Sequence, residues 1–157
     1  MSHARNEYTD FQTLAPDAFS AVRALSPIAA KAGLDKQLLE LIKIRASQIN
    51  GCAFCLAMHL ADARKMGESE ARLDLVAAWH DAPLYAARER AALAWTEALT
   101  LVTHGHVPDA VYEEVRGCFT DEELVNLSLA IVTINGWNRL SVAFRTPPAV
   151  SAKARAA

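Results

Sequence analysis

The chain has 157 residues, of which 52% are hydrophobic and 22% charged, and its formal net charge is −2. That profile fits one globular domain with a sizeable core, read here as residues 1–150, with residues 151–157 as a disordered tail. It excludes several classes: no basic excess points to nucleic acid or an anionic membrane surface, no apolar run reaches the roughly 18 residues of a transmembrane helix, and the polar start MSHARNEYTD lacks the apolar centre of a secretory leader.

With no sign of export, the cytoplasm is the expected compartment, where structural disulfides are rare. Three cysteines are an odd count, which favours thiol chemistry or a metal over a disulfide scaffold.

Helical signals run the length of the chain. Pro16 opens a helix expected to reach Ala32, with Gly33 ending it. Asp35 is placed to cap the next helix, KQLLELIKIRASQI, which Asn50-Gly51 breaks. A third helix is expected from Cys52 to Met66, and a short one, EARLDLVAAWH, after Ser69. A long central helix spans Ala86 to Thr103, stopped by the Gly105 and Pro108 region, and a shorter one covers Asp109 to Cys118. Thr120 and Glu123 have capping-box spacing and open the last helix, which continues through LVNLSLAIVTINGWNRLSVAF to the stop at Pro147-Pro148. No segment alternates convincingly at period two, so the expected fold class is all-α. Ile-Asn-Gly occurs at 49–51 and again at 134–136, a faint internal echo in which only the first copy is followed by cysteines.

The segment NGCAFCLAMH places Cys52, Cys55 and His59 at i, i+3 and i+7, on one helical face. The thiols are close enough for an intramolecular disulfide. A thiol at a helix N-terminus also meets the positive end of the macrodipole, which favours thiolate. His59, one turn beyond Cys55, can take its proton. If the preceding helix folds back across Asn50-Gly51, Glu40 comes within roughly 4.5 Å of His59 along the axis, at about 1.5 Å rise per residue. Glu40, Lys43, Ser47 and Asn50 share one face, so this polar stripe meets the Cys/His face. Glu40 would then orient His59, and His59 would draw a proton from a thiol.

Plainer readings stand beside this one. The stripe can be a solvated helix face. Cys52, Cys55 and His59 supply three zinc ligands, with Cys118 or a distant histidine as a fourth. His104 and His106 form an H-x-H pair, or simply a capping loop. A thioredoxin fold is disfavoured because its βαβ context is missing. A third possibility is a non-redox enzyme in which Glu40 and His59 act as an acid/base pair on a lactone or related acid.

The stretch ELIKIRASQINGCAFCLAMHLADARKMG, residues 40–67, resembles the core motif of the carboxymuconolactone decarboxylase/alkylhydroperoxidase D-like family. That motif has a glutamate, the first cysteine of a CxxC twelve residues later, and a histidine four residues after the second cysteine. Glu40, Cys52, Cys55 and His59 match it position by position, and WHDAPLYAARERAALAWTEALT and INGWNRLSVAFRTPP are similar to the small single-domain members. The resemblance implies an AhpD-like helical bundle that assembles into homo-oligomers, trimers or hexamers, with peroxidase activity on an organic hydroperoxide. In that scheme Cys55 attacks the O–O bond and becomes a sulfenic acid, Cys52 resolves it to a disulfide, and a thiol or dithiol reductant protein resets the pair. No cofactor and no resident metal is needed. The helix dipole alone favours Cys52 as the attacker, so both thiols stay candidates. Where the family's well-studied peroxidase carries a histidine between its cysteines, this chain has Ala53 and Phe54. That member of the proton relay is absent, and Phe54 is expected to shape an apolar mouth. The lactone decarboxylase branch lacks the CxxC pair, so the cysteines argue against that activity.

Of the remaining residues, Trp79, Trp95 and Trp137 are expected in the core or at a subunit interface. Glu97 is expected as a buried carboxylate near the site or paired with Arg88, Arg90 or Arg139. Asn135, Asn138 and Arg139 are expected to bond between helices, and Cys118 to be a lone buried thiol.

Overall fold

The segment from Leu38 to Ala46 is apolar on most sides apart from the stripe of Glu40 and Lys43 and from Arg45, and a helix with so wide an apolar surface belongs at the centre of a bundle. In the computed structural model, which describes residues 8–149, this segment is α4 (Lys36–Ile49). Leu41, Ile42, Ile44, Ala46 and Ser47 are all fully buried on it. Its start is fixed by the expected cap: the Asp35 carboxylate accepts the Leu38 N–H at 2.8 Å. Three helices pack on it: α5 (Ala53–Lys65), α7 (Ala87–Thr100) and α9 (Asp121–Ala143). The described residues also include α1 (Tyr8–Leu14), α2 (Pro16–Leu25), α3 (Ile28–Lys31), α6 (Glu70–Leu75) and α8 (Asp109–Cys118), and no strand. No helix among them is long and apolar enough to cross a membrane.

Burial falls into three clusters. Leu38, Leu39 and Ile42 of α4 pack with Trp95, Phe119, Leu127 and Ile131 on one side. Leu41 and Ile44 pack with Ala63, Trp79, Tyr85 and Leu93 on another. A small third cluster joins Ala46, Cys52, Cys55 and Ile134, with Phe54 and Trp137 against it. The third is where the chemistry sits.

Several boundaries differ from the sequence expectation. The helix expected over 16–32 is two, α2 and α3, because Pro27 has no N–H to continue the hydrogen-bond ladder of α2. Helix α1 has no counterpart in that reading. The short helix after Ser69 gives way to a 3₁₀ turn at Val76–Ala78, and the central helix ends at Thr100 before a 3₁₀ turn at Val102–His104. Helix α8 matches its expected span. The capping box of α9 forms, with Thr120 N–H on Glu123 at 2.9 Å and Glu123 N–H on Thr120 at 3.2 Å. Yet α9 stops at Ala143, before the prolines, where Arg145 takes φ 54° and the Thr146 N–H bonds back to the Ser141 carbonyl. The tail 151–157 lies outside the described residues.

Candidate active site

The α4–α5 hairpin builds the site. Asn50 closes α4, Gly51 turns the chain at φ 64°, and Cys52 takes the N-cap position of α5. No hydroxyl or carboxylate stands there, so the Cys52 sulfur serves as the cap and accepts the Cys55 N–H at 3.3 Å. Both thiols are free and 1% exposed.

The fold-back places Glu40 beside His59, as the hairpin register requires. Glu40 Oε2 lies 2.7 Å from His59 Nδ1, and Glu40 Oε1 accepts from Lys43 Nζ at 2.7 Å. Burial pushes the Glu40 carboxyl up. Its hydrogen bond and charge contact with His59, and those with Lys43, outweigh that and hold it below the ordinary value. Glu40 is therefore a carboxylate near neutral pH and can only accept. The Nδ1 proton belongs to that bond, and Nε2 is the nitrogen left for proton exchange. The polar stripe is not a solvated face: Glu40 and Ser47 are buried, and Lys43 and Asn50 half-buried.

The two thiols are electrostatically unequal. The hydrogen bond from the Cys55 thiol, against opposing burial, lowers the Cys52 thiol to about 6, with the Cys55 N–H, Asn138 and Ser141 adding to the effect. The same bond and burial push the Cys55 thiol up. The shared bond therefore sets the two thiols apart, favouring ionisation at Cys52 and protonation at Cys55. Cys55 Sγ also lies 3.8 Å from Ser141 Oγ on α9.

A cavity of about 400 Å³ opens on this pair. Its wall includes Phe54, Cys55, Met58 and His59 from α5 and Ile134, Trp137 and Ser141 from α9. Cys52 is not part of that wall; it lies behind Cys55. Phe54 stands at the cavity as the sequence suggested.

Two earlier expectations need correcting. Cys52, Cys55 and His59 do not form a metal-donor cluster among the described residues; the set within 4.8 Å is Glu40, His59 and Asp62. The reason is the cap, which turns the Cys52 sulfur back onto the Cys55 N–H. Each carboxylate of that other set already holds a lysine, Lys43 on Glu40 and Lys65 on Asp62. His104 and His106 lie in an exposed turn. Glu97 pairs with none of the three arginines proposed for it. It accepts from Trp79 at 2.7 Å, Arg45 at 2.8 Å and His80 at 3.2 Å, away from the cavity. Cys118 is half-buried.

Asn135 and Asn138 bond between helices as the sequence suggested, whereas Arg139 donates to Asn135 of its own helix, and sequence reasoning missed that α9 reaches the thiols. Asn138, fully buried, donates to Ser47 at 3.1 Å and accepts from Asn50 at 2.9 Å, and its amide also reaches both sulfurs. Asn135, Asn138 and Ser141 recur every three residues in the second half of α9. That recurrence was the available signal for a polar seam along one side of the helix.

The model of the carboxymuconolactone decarboxylase family matches residues 16–98. YdfG of Bacillus subtilis (strain 168), itself uncharacterised, is 40% identical over 138 residues, spanning 88% of this chain and 94% of that protein. The chain belongs to the carboxymuconolactone decarboxylase family. Among solved structures, a protein of unknown function from Agrobacterium tumefaciens, suggested to be an antioxidant defence protein AhpD, superposes with a TM-score of 0.88 at 40% identity. The match covers 95% of this chain and 100% of that one. An uncharacterised peroxidase-related protein with an alkylhydroperoxidase AhpD core, from Ralstonia eutropha JMP134, is similar with a TM-score of 0.74 at 26% identity, covering 87% and 73% of the two chains. The fold is that of an AhpD-like member of the family. The family match contains Glu40, Cys52, Cys55 and His59 and ends before α9, so Asn138 and Ser141 come from outside it.

Proposed function

We propose that this protein is a cytoplasmic thiol-dependent peroxidase that reduces an organic hydroperoxide. The observation that carries this reading is the asymmetry of the thiol pair. Cys55 lines the cavity beside His59, while Cys52 sits behind it with its sulfur accepting the Cys55 N–H. In the first step Cys55 sulfur attacks the outer oxygen of R–O–O–H and the O–O bond breaks. The sulfur is oxidised to S–OH, and the leaving alkoxide takes a proton that His59 relays through Nε2 from the solvent in the cavity, departing as the alcohol. The proton that Cys55 gives up passes along the S–H···S bond to Cys52. In the second step Cys52 sulfur attacks the sulfenic sulfur. Its proton leaves with the hydroxide as water, and a Cys52–Cys55 disulfide remains. A dithiol reductant protein supplies two electrons and two protons by exchange through a mixed disulfide. Glu40 holds His59 in the tautomer that exposes Nε2 and stabilises the ring when protonated.

The roles are separable by experiment. With cumene hydroperoxide and dithiothreitol, Cys55→Ser is expected to reduce turnover to background. Cys52→Ser is expected to stop after one equivalent, leaving a sulfenic acid that a dimedone probe traps. Full turnover in both variants refutes the reading. Activity on a lactone that survives loss of both thiols points instead to acid/base chemistry by Glu40 and His59.

We propose also that the chain works as a homo-oligomer. On α9, Val125, Leu129 and Val132 are exposed at 59%, 44% and 61%, and with Tyr112 they line a shallow apolar groove that a second copy can cover. Val132→Glu is expected to lower the mass read by light scattering.

A further inference from the structure

The cavity has two chemically different ends. Its inner wall carries the thiol: Cys55, 1% exposed, stands with apolar Phe54, Ile134 and Trp137 and with the buried polar groups of His59 and Ser141. Its outer rim is polar and belongs to the N-terminal helices: Gln12 of α1, Arg23 of α2 and Ser26 just after α2, all exposed. The charge is one-sided. The formally charged side chains on the wall are Arg23 and Lys43, with no aspartate or glutamate, in a chain whose net charge is −2. Lys43 is engaged, since its ammonium donates to Glu40 at 2.7 Å. Arg23 has no ion pair and no side-chain hydrogen bond among the described residues. An arginine fork with five donors, free at the rim of an apolar cavity, is suited to a carboxylate. A volume near 400 Å³ lies within the roughly 300–1,000 Å³ range that encloses a small organic ligand.

Resting on the peroxidase reading for its chemistry, we infer that the cavity takes an amphipathic organic hydroperoxide with a terminal carboxylate. The acid group sits on Arg23 at the rim, and the hydroperoxide, several carbons away, lies against Cys55. Apolar chain between the two packs on Phe54, Ile134 and Trp137. The free acid is then preferred over its ester, because only the acid answers the guanidinium.

Two measurements test this. The first is kcat/KM for a fatty acid hydroperoxide and for its methyl ester, read as a ratio within each variant. Wild type is expected to favour the acid about tenfold, the size of one charge-assisted hydrogen bond. Arg23→Gln is expected to bring the ratio near one, and Arg23→Lys to keep part of it. Lys31→Gln removes an exposed charge outside the cavity and is expected to keep the full ratio. The second is binding of decanoate against methyl decanoate by calorimetry, which needs no turnover. If no hydroperoxide is reduced but decanoate still binds more tightly than its ester in an Arg23-dependent way, the peroxidase reading fails and the acid site stands. A wild-type ratio near one in both measurements overturns the inference. So does a ratio that Arg23→Gln leaves intact, or one that Lys31→Gln lowers equally.

Discussion

The tripeptide Ile-Asn-Gly occurs twice, and the two copies do opposite things. At 49–51 it ends α4: Gly51 adopts φ 64° and the chain reverses into the cysteine helix. At 134–136 it runs straight through the middle of α9, with Gly136 in ordinary helical conformation. The two copies nonetheless meet, because Asn50 Nδ2 donates to Asn135 Oδ1 and to Asn138 Oδ1, each at 2.9 Å. What differs is the continuation. After the first copy comes a sulfur that caps a new helix. After the second come Trp137 and Asn138, which continue the apolar and polar seams already running along α9. A tripeptide does not decide between turn and helix; the packing available to the residues after it does. The consequence is a division of labour in which the hairpin carries the reacting groups and α9 supplies the donors that hold them.

The largest expected effect lies on the hairpin. Glu40→Gln keeps the shape but removes the negative charge beside His59. It is expected to lower kcat/KM for cumene hydroperoxide by about a hundredfold, within the ~10²–10⁴ range of general acid–base groups. Retention of the rate would mean that the buried pair is only structural.

The next effect tests whether α9 is more than a wall. Asn138→Ala leaves the buried Ser47 hydroxyl without its donor and takes one of the two acceptors of Asn50, and is expected to cost about 2 kcal/mol in urea unfolding. It also removes a donor that reaches both sulfurs. Thiolate forms as pH rises through the titration of Cys52, so iodoacetamide labelling of wild type is expected to climb with a midpoint near the value of about 6. In Asn138→Ala that midpoint moves upward, because the thiolate has lost one donor. In Cys55→Ala it moves further upward, because the largest stabilising bond is gone. A loss of stability with an unmoved midpoint would confine Asn138 to packing.

The two regions were also unequally legible. The hairpin could be read because its signals are local: a cap at Asp35, a break at Asn50-Gly51, and a register that lets Glu40 meet His59. The contribution of α9 could not, because nothing in 120–144 says which neighbour its polar seam faces. Asn138 and Ser141 are 86 residues or more from the groups they hold, a pairing that only the packed bundle defines. The α2–α3 break was misplaced for a related reason. Pro27 lies within the span from Pro16 to Gly33, and that reading put the helix end at Gly33 alone. The partners of Glu97 were missed because Arg45 of α4 and the adjacent Trp79 and His80 converge on it from two distant segments.

The smallest effects come from the two glycines themselves, and they are expected to differ in sign. A Cβ on either meets nothing within 4 Å, so sterics with neighbours do not separate them. Backbone conformation does. Gly51 holds φ 64°, where an alanine is strained, and Gly51→Ala is expected to lose about 1 kcal/mol in urea unfolding. Gly136 is helical, where alanine restricts the unfolded chain more than it costs the folded one. Gly136→Ala is expected to gain about 0.5–1 kcal/mol in the same measurement. If Gly136→Ala instead destabilises the protein and lowers its mass in solution, the glycine is there for close approach by a second copy against α9. The second Ile-Asn-Gly would then serve assembly as the first serves the turn.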